Sequence, residues 1–135
     1  MKPNINEAGL AIQGYDPVAY FSDTAIAGDA EITSTYDDAI YRFTNAENKA
    51  KFDADPNQYA PQYGGFCAVA VSEGKTFPIN PETYSVEAGK LYLFYNGSLG
   101  NTKEQWVQDV AARKANADQH WQADDIAVVY PTVAY

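Results

Sequence analysis

A chain of 135 residues that is 46% apolar and 20% charged can bury a real core and lacks the composition of a disordered tract. Its net charge of −9 at pH 7 and the lack of a basic stripe argue against nucleic acid and anionic membrane surfaces as partners, since both need clustered Lys and Arg. No apolar run approaches the ~18 residues of a membrane-spanning helix, so no membrane insertion is expected. With one cysteine, Cys67, an internal disulfide is impossible and packing must hold the fold. Eleven tyrosines are the unusual component, and core or rim packing accounts for most of them.

The first six residues lack the apolar stretch of a signal peptide. Gly14-Tyr15-Asp16-Pro17-Val18-Ala19-Tyr20-Phe21 reads as a turn into a short helical piece, with Asp16 as cap and Pro17 at the first helical position. Glu31–Tyr36 and Ala39–Phe43 read as a hairpin around Asp37-Asp38, its second strand half-buried. Thr44 and Glu47 stand in capping-box spacing before a helix that reaches Ala54 and stops at Asp55-Pro56.

Pro61-Gln62-Tyr63-Gly64-Gly65-Phe66-Cys67-Ala68 comes next: a turn built on proline and a glycine pair, then an apolar run to Val71. If that run is a short helix, Cys67 lies in its first turn, where free N–H groups and the dipole favour a thiolate. A lone thiol in an apolar run is equally a small buried hydrophobe. Thr83–Val86 and Lys90–Tyr95 form a second hairpin turning at Ala88-Gly89. The longest helix is predicted from Thr102 to Trp121 with Asn101 as cap, burying Trp106, Val110, Ala117 and Trp121 on one face. The tail from Asp124 to Tyr135 reads as a final strand or docking arm. No internal repeat and no linker is apparent, so one α+β domain over residues 1–135 is expected, with small antiparallel hairpins packed on the C-terminal helix.

Gly14–Phe21, Tyr41-Arg42-Phe43, Phe52–Tyr59, Pro61–Ala68, Gly89–Leu93, Ala117-Asp118 and Trp121 together resemble the YHS-domain family in its stand-alone bacterial branch. The resemblance spans about residues 9–121 and leaves 122–135 as an extension. Short YHS modules are regarded as heavy-metal-binding domains, but their presumed cysteine positions read Ala19 and Thr44 here, and Tyr41 is followed by Arg42 rather than histidine. The stand-alone branch shares a cysteine after the glycine pair, matched by Cys67, and some of its members are selenoproteins. That implies soft-metal ligation or thiol chemistry at Cys67. Relatives of the branch often carry export signals, which implies an extracytoplasmic home.

Three functions follow as expectations. In the first, Cys67 binds copper or zinc with His120, helped by Asp16 or Asp118, in a helix-start pocket walled by Tyr15, Tyr63, Phe66 and Trp121. In the second, Cys67 is the reactive sulfur of a redox enzyme that borrows an external thiol. In the third, the protein is a non-catalytic ligand-binding or interaction module and Cys67 is packing. The expected partner is a metal ion or small molecule, and the protein a monomer or homodimer. His120 near a helix end is otherwise a half-exposed residue without a role.

Overall fold

The computed structural model describes residues 1–129. β1 (Asp29–Tyr36) pairs antiparallel with β2 (Ala39–Phe43), and β3 (Asn80–Glu87) with β4 (Lys90–Phe94). Each hairpin turns through two left-handed residues, Asp37-Asp38 at φ 51° and 66° and Ala88-Gly89 at 52° and 74°. This turn geometry matches the twist of the flanking strands. In β2 the alternation is as expected: Ala39, Tyr41 and Phe43 are buried, Ile40 and Arg42 half-buried. A two-residue pairing of β5 (Asn96–Gly97) with β6 (Gly100–Asn101) follows the second hairpin.

Helix α1 (Ala46–Ala54) packs Phe52 onto the first hairpin, its ring 4.8 Å from Tyr41 and 5.2 Å from Phe43. Its cap is Asn45, which accepts from the Asn48 amide; Thr44, the expected cap, is turned instead to Asp16. Asp55 ends α1, and Pro56 opens the short α2 (Pro56–Tyr59). α3 (Ala68–Ser72) is five residues long, with Cys67 as its N-cap rather than in its first turn.

The predicted Thr102–Trp121 helix is two helices, α4 (Lys103–Gln108) and α5 (Val110–Ala123). The break is Asp109, non-helical at φ −155° and ψ 69°, whose carboxylate accepts from the Ala112 amide and caps α5. Asp competes for backbone N–H groups in this way and so favours caps over helix interiors. Trp106 and Ala117 are buried as expected, while Val110 and Trp121 are partly buried. The described part of the tail does dock: Ala127 bridges Lys75 in parallel, accepting from Thr76 and donating to Gly74. The remainder of that expectation, residues 130–135, lies outside the described residues. No described helix is long and apolar enough to cross a membrane.

The architecture corrects one expectation outright, because the chain repeats itself. The register of the first hairpin (Asp29 with Phe43, Thr33 with Arg42, Tyr36 with Ala39) recurs 51 residues later as Asn80 with Phe94, Tyr84 with Leu93 and Glu87 with Lys90, irregularity included. The segments before the hairpins match too. Ile12, Gln13 and Gly14 have φ of 53°, 53° and 86°; Tyr63, Gly64 and Gly65 have 57°, 63° and 83°. Asp16 donates its amide to Ile26 and Cys67 donates to Phe77; Asp23 donates to Tyr20 and Gly74 to Val71. After the β5–β6 insertion the shift becomes 54, so that Phe52 corresponds to Trp106 and Asp55 to Asp109, with nearly identical backbone angles at the two aspartates. One domain is thus two equivalent halves. They are tied by cross-bonds such as the Tyr20 hydroxyl on the Pro81 carbonyl and the Gln13 amide on that of Ile79.

Candidate functional site

Asp16 and Cys67 occupy the same slot in the two halves, and each reaches the helix that follows its own hairpin. Asp16 is fully buried. One carboxylate oxygen accepts from the Val18 and Ala19 amides, the other from the Thr44 amide, the Thr44 hydroxyl and Asn48 Nδ2. Five donors on two oxygens leave it no capacity for a metal ion.

Cys67 is 1% exposed, and its sulfur lies 3.3 Å from the Thr102 hydroxyl. That hydroxyl spends its proton on the Tyr95 carbonyl at 2.7 Å. With that proton engaged, the sulfur is the atom that can donate in its contact with Thr102. Thr102 holds the place in its half that Asn48 holds in the other, counted back from Asp109 and Asp55. The side-chain pair has been exchanged while the scaffold is retained.

The other expected ligands are placed elsewhere. His120 stacks over Gly74, beyond the opposite end of α3 from Cys67, with Nδ1 3.1 Å from the Asp125 carbonyl. A Cβ on Gly74, at φ 79°, would come 3.1 Å from the His120 ring, so this close docking needs the glycine. Asp118 accepts from the Tyr63 hydroxyl at 2.7 Å. Among the described residues no group of three or more His, Cys, Asp or Glu is arranged to hold a metal, so these side chains do not fit the copper or zinc site the resemblance implies.

The expected pocket at the thiol is not formed, because Cys67 is packed into the core together with Ala68 to Val71. Tyr63 and Trp121 line a cleft of about 290 Å³ instead. Phe66 lines a separate apolar hollow with Ile5, Phe77 and Val128, and Tyr15 borders neither. The cleft lies where the halves meet. Tyr36, Asp37 and Tyr41 come from the first hairpin; Tyr63, Lys90, Asp118 and Trp121 come from the second half. The Tyr63 and Trp121 rings meet edge to face at 6.2 Å, and Gly64 lets Trp121 approach, since a Cβ there would come 2.9 Å from its ring.

Burial, helped by Asp118, pushes the Tyr63 phenol well above the ordinary tyrosine range. Burial and the nearby Asp37 do the same to Tyr41. Both stay neutral at any physiological pH. Sequence reasoning singled out Tyr63, Asp118 and Trp121 but missed Tyr36, Asp37, Tyr41 and Lys90. Their signal was their place beside the two hairpin turns, which only the packing of one half on the other makes meaningful.

Iodoacetamide labelling checks the placement of Cys67. Native protein should react roughly a thousandfold more slowly than urea-unfolded chain, because only opening of the core exposes the sulfur. Equal rates would overturn its burial.

No protein-family model matches this chain, and no curated protein or solved structure is significantly similar to it.

Proposed function

We propose that this protein is a non-catalytic small-molecule-binding module of YHS type, with its ligand in the cleft between the halves and Cys67 as a structural residue. One observation carries the reading: aromatic rings and carboxylates from both halves converge on a single open cleft. Concave sites between structural units, with a few fixed polar groups, are where small ligands bind. The Tyr63–Asp118 hydrogen bond fixes two of those groups before any ligand arrives. The YHS resemblance draws on both halves, since its Gly14–Phe21 and Pro61–Ala68 motifs lie in the two segments that precede the hairpins.

The test is a small-molecule screen by ligand-observed NMR against wild type, Trp121→Ala and Asp118→Asn. Hits should bind about tenfold or more weakly to at least one variant, the loss expected from removing a contact worth over ~1 kcal/mol. Hits indifferent to both substitutions, or no hits, would overturn the reading.

Copper or zinc ligation through Cys67 and His120, and thiol redox chemistry at Cys67, both require the sulfur to leave Thr102 and the core. Elemental analysis separates the metal reading: stoichiometric copper or zinc that is lost in Cys67→Ser would replace the binding-module proposal.

A further inference from the structure

We infer that the ligand of this cleft is a small organic cation of the alkylated ammonium class, held by the Trp121 ring and the Asp118 carboxylate, with the buried Tyr63 fixing Asp118 from behind; this rests on the binding-module reading above. The charges on the described walls point that way. Asp37 and Asp118 face one cationic side chain, Lys90, and the α-amine of Met1 is engaged by Asp124 at 3.5 Å. Asp118 accepts one hydrogen bond, through Oδ1 from Tyr63, and its other oxygen has no partner among the described residues. That oxygen can receive an ammonium N–H, or lie against the methyl groups of a quaternary nitrogen, without breaking anything already made.

The aromatic component selects the type of cation. Faces of Trp and Tyr rings carry negative quadrupole density and attract an organic cation that has already shed most of its hydration. Among the described residues the walls bring together no three His, Cys, Asp or Glu side chains, so a multidentate metal site does not compete for this cleft. Tyr63, kept neutral by burial, donates to Asp118 and adds no charge to the wall. The net charge of −9 works at longer range, repelling anions and raising the local concentration of cations.

The probes are choline, its neutral isostere 3,3-dimethylbutan-1-ol, and the anion 3,3-dimethylbutanoate, each titrated into ¹⁵N-labelled protein. Choline should shift the amides of Tyr63, Gly64, Asp118 and Trp121 and bind about fivefold or more tightly than the isostere, the range of a partly exposed cation–π contact. Asp118→Asn should weaken choline severalfold and leave the isostere unchanged. Isostere or anion binding as tightly as choline overturns the cationic class while leaving the binding-module reading intact. If none of the three moves the cleft amides, the cationic class falls, and the separate screen decides the module.

Discussion

Asp16→Ala should lower the unfolding free energy by about 3–5 kcal/mol, the cost of taking away the acceptor at the centre of a buried charged network. Five donors converge on this one carboxylate, from the Val18, Ala19 and Thr44 amides, the Thr44 hydroxyl and Asn48. Alanine leaves them without a partner in a site closed to water. Asparagine is no remedy, because its amide would turn two hydrogens toward groups that themselves donate. Asp16→Asn should thus recover only part of the loss. Urea unfolding followed by far-ultraviolet circular dichroism measures both. A loss below ~1 kcal/mol in the alanine variant would show that the network is dispensable.

Trp106→Ala should cost a similar ~3–5 kcal/mol, through lost transfer free energy and the cavity left behind. The indole is fully buried, 5.1 Å from the Tyr92 ring and 5.4 Å from Phe94, so it fastens α4 to the second hairpin. Its Nε1 donates to Glu87 at 3.0 Å, and Glu87 also pairs with Lys114 of α5 at 3.1 Å. Trp106→Phe keeps most of the ring contact and loses that hydrogen bond, so it should cost much less. Calorimetry should show the melting temperature falling by about 10 °C or more for alanine. If alanine and phenylalanine melt together, the cavity account is wrong.

Much of the fold was legible because its signals are local. Asp37-Asp38 and Ala88-Gly89 announce tight turns, and the alternation of Ala39, Tyr41 and Phe43 announces a strand with one buried face. The break at Asp109 was not legible, since the apolar spacing from Trp106 to Trp121 continues across it and only the capping bond reveals it. The repeat was hidden for a different reason. Few identities survive between the halves, among them Gly14 with Gly65, Val18 with Val69, Tyr41 with Tyr92 and Phe43 with Phe94. What persists is backbone conformation and hydrogen bonding, which one sequence does not display. The exchange of Asp16 for Cys67 then disguised two equivalent slots as unrelated residues, a helix cap and a lone thiol. The candidate site was half legible for the same reason: Tyr63 and Trp121 stand out by type, whereas Asp37 and Lys90 become wall residues only when one half docks on the other.

The doubling of the chain also makes it an asymmetric reporter. Both tryptophans, Trp106 and Trp121, belong to the second half, where the first half has Phe52 in the place of Trp106. Indole emission thus follows one half while circular dichroism follows both. A lesion at Asp16 that appears in tryptophan emission has therefore crossed from one half to the other. The protein carries its own test of whether two like halves melt as one.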